Sequence, residues 1–489
     1  MNSSYVEPSR VSTLDLAPSP VLLIDPRGED PIRARILGLE RLESHARLMA
    51  RACTLAPRRR ANSPLLERFV DNKRVLSWVH DQLSTRGDLH GIDAEWLVDN
   101  FHIIEDSLRE VARDLPPGYD AQLPKISAPP LVGYPRVYAL ALALVAHTDS
   151  ELDETRIVRF VSAFQESAPL TIGELWALPT MLRLVLVDNL RRLSEKMIWR
   201  WEERRRAEQW AKSALADTQG PYDEAKNKGP SQAPPPLAEL SDPFVVRLLQ
   251  LLRDQGPVNA AVEHLEAELS AHGSEPNEVL KREQSRQAAD QVTVGNCVLS
   301  LRLLSAIDWN AFFEKSSPVE AILRDDPAGI YPRQEFATSD RYRRVVEIIA
   351  RQSDADEMEV SRKAVELAVQ GRGAGEPRDH VGFYLIDRGQ KELKSAFRFR
   401  PTWRERLLDL VLGRPQSVYF GSIVIGLAAL LALVVIFALG GGLTNFWWIL
   451  AIAAAALLPI SELVVGLVNQ LFTLFVPPRV LPKLDVKHG

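Results

Sequence analysis

Cysteine is nearly missing from this chain: Cys53 and Cys297 are the only two among 489 residues. They lie far apart in helix-like contexts, which excludes a disulfide framework and a cysteine-based zinc site. A basic excess is missing as well. Against 59 Lys and Arg stand 64 Asp and Glu, a net charge of −5, so a bulk nucleic-acid binder is excluded and no nucleic-acid partner is expected. Residues 1–20 have neither the basic start nor the apolar core of a signal peptide. There is also no Gly-x-Ser-x-Gly elbow and no His-Glu-x-x-His pair.

Apolar residues, by contrast, are concentrated after residue 415. From Val418 to Leu439 the chain is uncharged for about 22 residues, roughly 33 Å as a helix, the thickness of a bilayer core. A short connector, Gly440 to Asn445, leads into a second apolar run that opens on Phe446-Trp447-Trp448 and continues to Val468. The aromatic cluster suits a membrane interface. Arg400, Arg404, Arg406 and Arg414 precede the first span, and Arg479, Lys483 and Lys487 follow the second, so the positive-inside rule puts both termini in the cytoplasm. Within the second span, Glu462 and Asn469 share a face and are the polar candidates, with Glu462 expected near the cytoplasmic interface. Pro459, Ser461 and Glu462 predict a bend there, with an amphipathic segment beyond it lying at the interface.

Ahead of the membrane the pattern is helical. Ile92, Trp96, Leu97, Phe101, Ile104, Leu108, Val111 and Leu115 form one stripe at a 3.6-residue period. Similar spacing marks Leu65–Leu83, Val137–Ala146 and Ile157–Phe164, and Thr171 with Glu174 has capping-box spacing ahead of a long run to Ala214. Residues 215–243 lose this periodicity and gather Gly and Pro, as a linker does. The expected division is a polar segment 1–29, a helical domain 30–214, a linker 215–243, a second helical domain 244–413 and a membrane hairpin 414–489. The fold class is all-α. Only Val21–Ile24 and Val381–Ile386 read as strands.

Four local patterns invite a chemical reading. Asp354-Ala-Asp356 has the spacing with which sugar-nucleotide transferases hold a divalent metal, but it follows a helix, and Ser353 with Asp356 suits a helix start. Trp199-Arg200-Trp201 is similar to the Arg-Trp pair of processive polysaccharide synthases, yet Met197 stands where their Gln would be, and charged neighbours describe an exposed helix. Glu95, Asp99 and His102 fall at i, i+4 and i+7, a candidate metal face; a solvated face with His102 partly buried is the simpler reading. Gly371-Arg372-Gly373-Ala374-Gly375 has no preceding strand and no P-loop Lys, and reads as a turn. No cofactor site is expected in this chain.

Several longer words, in order, resemble the amino-terminal portion of the bacterial cyclic β-1,2-glucan synthases. They are Glu95-Trp-Leu-Val-Asp-Asn-Phe-His102, Asp114-Leu-Pro-Pro-Gly-Tyr119, Gly133-Tyr-Pro-Arg-Val-Tyr138 and Thr171-Ile-Gly-Glu-Leu-Trp176. Val292-Thr-Val-Gly-Asn296, Leu301-Arg-Leu-Leu-Ser305, Asp325-Asp-Pro-Ala-Gly329, Ser461-Glu-Leu-Val-Val465 and Pro477 to Asp485 follow. The resemblance implies a bacterial inner-membrane enzyme that polymerises glucose from UDP-glucose with a divalent metal and then cyclises the glucan. It also implies that this chain supplies the cytoplasmic helical region and first membrane hairpin, with the lipid bilayer and a glycosyltransferase domain, in cis or as a separate chain, as partners. No transferase motif has a matching position here, so no catalytic residue is carried over. The alternative is a stand-alone membrane scaffold with no carbohydrate role.

Overall fold

The computed structural model describes residues 25–57, 64–85, 92–116, 118–216, 240–254, 260–271, 275–373 and 377–475. Two compact units are present, Met1–Pro318 and Val319–Gly489. The helices on either side of residues 215–243 fall in the same unit, because those that follow pack on the same long central helix as those that precede it.

The first unit contains α1 (Leu39–Ala52), α2 (Leu65–Thr85), α3 (Ile92–Asp99), α4 (Phe101–Asp114), α5 (Arg136–His147), α6 (Glu154–Gln165) and α7 (Ile172–Ala216). It continues with α8 (Asp242–Asp254), α9 (Ala260–Ala271), α10 (Pro276–Ala306) and α11 (Trp309–Ser316). Helix α7 runs for 45 residues and is the axis on which α2, α4, α5, α8, α10 and α11 pack. Its first half is buried on nearly every side, as befits a helix surrounded by others. Its start is fixed by the expected capping box: the Glu174 amide donates to Thr171 Oγ1 at 3.2 Å, and the Thr171 amide donates back to the Glu174 carboxylate at 3.0 Å. The stripe along α3 and α4 is also as expected, with Leu97, Ile104 and Val111 each 0% exposed.

The second unit opens on α12 (Pro318–Leu323), followed by α13 (Phe336–Arg351), α14 (Glu357–Gln370), α15 (Val381–Ile386), α16 (Gln390–Ser395) and α17 (Trp403–Gly413). Val381–Ile386, expected as a strand, is the helix α15. A short apolar run does not distinguish the two states, and here the tertiary partner decides: the Asp326 carboxylate accepts the Val381 amide at 2.9 Å. The other expected strand, Val21–Ile24, lies outside the described residues. Among the described residues there is no strand, only two isolated bridges, Leu55 with Ile126 and Lys125 with Pro135.

Two further helices, α18 (Pro415–Gly440) and α19 (Phe446–Phe475), form an antiparallel pair. Both are long and apolar enough to cross a membrane, with mean hydropathies of 3.0 and 2.2. They meet where Gly426 faces Val464; a methyl group on Gly426 would lie 2.9 Å from Val464 Cγ1. Further along, the Tyr419 hydroxyl donates to Asn469 Oδ1 at 2.9 Å, and the Tyr419 ring meets Phe472 edge-on at 5.5 Å. Helix α19 continues through Pro459, and the segment beyond Glu462 stays helical and packed on α18. Its 30 residues, about 45 Å of helix, exceed a bilayer core and call for tilt or protrusion.

Candidate functional site

Helix α7 carries an unusual load of buried charge. At its first turn Glu174, 0% exposed, receives Arg136 of α5 in a two-pronged pair, Nε to Oε1 at 2.8 Å and Nη2 to Oε2 at 2.6 Å. Midway, Asp188 accepts from Arg68 Nε of α2 at 2.9 Å and from Arg192 Nε, one turn on, at 3.0 Å. Asn189 reaches the chain before α1 by accepting the Ile32 amide at 2.7 Å, and donates to Ser150 Oγ at 2.9 Å. Ser150 and Asp149 both have left-handed backbone, φ 64° and 51°, a costly conformation for residues with side chains. Helix α10 holds them there. Asn296 donates to the Asp149 carbonyl at 3.0 Å, Thr293 Oγ1 to the Asp149 carboxylate at 2.7 Å, and Ser300 Oγ to the Ser150 carbonyl at 2.6 Å.

Beyond this knot the helices part and leave a cleft of about 690 Å³ between α7, α8, α10 and the segment around Arg33. Trp199 stands at the cleft, 46% exposed. Arg33 and Arg200 both engage Asp290, Lys196 faces Asp30 at 2.8 Å, and Arg286 faces Asp242 at 2.9 Å. Glu283 is 3% exposed, and its Oε1 has no hydrogen-bond partner; Arg200 Nε stops 3.6 Å short. Burial pushes the Glu283 carboxyl above its ordinary value, against the pull of Arg200.

The residues singled out by spacing fare differently. Glu95, Asp99 and His102 are all exposed, and they do not share a helix: α3 ends at Asp99, Asn100 turns back to donate to the Trp96 carbonyl at 2.9 Å, and α4 starts at Phe101. Among the described residues no three Asp, Glu, His or Cys converge as a metal site. Asp356 caps α14 in a capping box with Glu359, the two amide-to-carboxylate bonds measuring 2.7 and 2.9 Å, whereas Ser353 Oγ donates to the Ile349 carbonyl. Gly371 ends α14 and Gly373 has φ +90°, a turn, while residues 374–376 lie outside the described residues. Trp199 and Arg200 alone of these residues line the cleft. Sequence reasoning missed Glu283 and Asp290 because each is one acidic residue in a charge-rich helix; only the buried face of α10 distinguishes them.

The polar residues of α19 are placed apart. Asn469 bonds Tyr419, while Glu462 is exposed on the hairpin surface. Two residues from Val464, Glu462 lies within about 3 Å, along the axis, of the level of Gly426.

The words that carry the sequence resemblance meet in these knots. Arg136 and Glu174 come from two different words, Thr293 and Asn296 from a third, and Tyr119 of a fourth donates to the Gly173 carbonyl at 3.3 Å. The cyclic β-(1,2)-glucan synthase NdvB of Rhizobium meliloti (strain 1021) is 32% identical over 407 residues. Over most of its length, then, this chain is similar to a cyclic β-1,2-glucan synthase. The match covers 81% of this chain but 14% of that synthase, so the chain spans a small part of the relative's length. No established family profile matches the chain.

Proposed function

We propose that this chain is the membrane-anchored amino-terminal portion of a cyclic β-1,2-glucan synthase. Its task is to hold the glycosyltransferase domain, with its UDP-glucose and divalent metal, against the cytoplasmic face of the bacterial inner membrane. The observation that carries this reading is the paired hairpin of α18 and α19, joined to a chain that is 32% identical to a glucan synthase over most of its length. The large helical region supports it: its buried ion pairs sit between helices and fix their relative positions, which is what a platform needs.

The reading sets a topology, with the helical units cytoplasmic and the connector around Thr444 outside. Cys53 and Cys297 are first replaced; burial pushes the Cys297 thiol up to about 12, so it is inert in any case. A cysteine at Thr444 is then expected to react with an impermeant maleimide in intact cells, and one at the exposed Gln370 only after lysis. The opposite labelling pattern refutes the topology.

A further inference from the structure

The cleft between α7, α8 and α10 has no role in anchoring, and its chemistry is specific enough to name an occupant. Each of its four cations, Arg33, Lys196, Arg200 and Arg286, already faces a carboxylate. Such a site has little net field for a phosphate or another anion. What it does have is a buried acceptor without a donor, Glu283 Oε1, and a half-exposed indole, Trp199. An orphaned buried acceptor calls for a ligand that brings hydroxyl or amine hydrogens. A flat aromatic face calls for a ligand with an apolar side of its own. A pyranose ring combines both, with axial C–H groups on one face and hydroxyls around its rim. A simple ammonium would satisfy Glu283 but leave the indole unused.

We propose that this cleft binds a segment of β-1,2-glucan, one glucose ring lying on Trp199 and a hydroxyl donating to Glu283. The volume, about 690 Å³, accommodates two or three sugar rings. The inference rests on the glucan-synthase reading for the identity of the glucan, and it assigns to the helical region a second task, holding the polymer as well as the enzyme.

The test is calorimetric titration of the full chain in nanodiscs with linear β-1,2-linked glucopentaose, with cellopentaose and inorganic phosphate alongside. Glucopentaose is expected to bind, and Trp199→Ala, at an exposed position that leaves the core intact, is expected to weaken binding at least ten-fold. Glu283→Met, which keeps the length but removes the acceptor, should weaken it similarly; circular dichroism verifies its fold. Absence of glucopentaose binding, or binding unchanged by Trp199→Ala, overturns the proposal. Binding of phosphate that competes with glucopentaose overturns it too. Equal affinity for cellopentaose overturns the commitment to a β-1,2-glucan. The Thr444 labelling is read separately, so a failed cleft leaves the anchoring topology to stand or fall by itself.

Discussion

Glu174→Ala is expected to destabilise the first unit by about 3–5 kcal/mol, because it strands Arg136 as an unpaired charge among helices. Arg136 is 6% exposed, and besides pairing with Glu174 it donates to the Pro169 carbonyl at 2.9 Å. The same substitution removes half of the capping box at the start of α7. Denaturant titration of the full chain in detergent, followed by circular dichroism, should show the cooperative loss of helix at markedly lower denaturant. The double variant Arg136→Met with Glu174→Met should recover much of the loss, since apolar side chains of similar volume carry no desolvation penalty. A single Glu174→Ala variant within about 0.5 kcal/mol of the native chain would contradict this account of the pair, the range expected for an ordinary surface change.

In the second unit the largest effect is expected at Asp326. Its carboxylate accepts the amides of Ile330 at 3.0 Å, Tyr331 at 3.1 Å and Val381 at 2.9 Å, and meets His380 Nδ1 at 2.8 Å. The far side of that ring faces the Tyr342 hydroxyl at 3.3 Å. Burial by itself raises this carboxyl's pKa, but the His380 ring and the Val381 and Tyr331 amides outweigh it and leave the carboxyl below its ordinary value. Asp326→Ala removes all four contacts and leaves the buried Val381 amide without its acceptor. Bonds to a charged group contribute about 1.5–3 kcal/mol each, though not additively, so a loss of about 3 kcal/mol is expected. Hydrogen exchange of the α15 amides, read by mass spectrometry, should accelerate about 100-fold, the kinetic image of that energy.

The depressed carboxyl also fixes the sign of the pH dependence. A group whose folded pKa is lowered contributes stability that is complete above its unfolded value, about 3.9, and lost as pH falls through the folded value. Protection of α15, corrected for intrinsic exchange, should therefore be level from pH 7 to about 5 and fall below about 4. In Asp326→Ala this acid-dependent fall should be missing; an unchanged profile would assign it to another group.

Much of the helical architecture was legible because it rests on periodicity. The α3–α4 stripe, the Thr171–Glu174 start of α7 and the apolar runs of α18 and α19 each follow from spacing alone. Three features did not follow. Val381–Ile386 became a helix because Asp326, 55 residues earlier, receives its first amide. The break at Asn100, which separates Glu95 and Asp99 from His102, interrupts no apolar step in the stripe, so the pattern reads straight through it. Helix α19 stays paired past Pro459 because Tyr419, Asn469 and Phe472 join the two helices beyond it, and pairing between two apolar runs leaves no mark on either run. The cleft was half visible: Trp199 and Arg200 attracted notice for a resemblance that Met197 weakened, whereas Glu283 acquires meaning only when α10 buries it.

On the anchoring reading proposed above, Glu462 bears on how the protein is made. A helix leaving the translocon partitions into lipid on its own merits before it finds neighbours, and a carboxylate at the centre of such a helix costs about 3 kcal/mol. Helix α18 has no charged residue and inserts readily; α19 carries both Glu462 and Pro459 near its middle. The order of synthesis therefore compensates for the composition. By the time α19 emerged, α18 would already present Gly426 for Val464 and Tyr419 for Asn469, so the second helix would be retained by its mate rather than by its own hydrophobicity. Biogenesis of such an anchor would be a templated event, its weak point the interval between the two insertions.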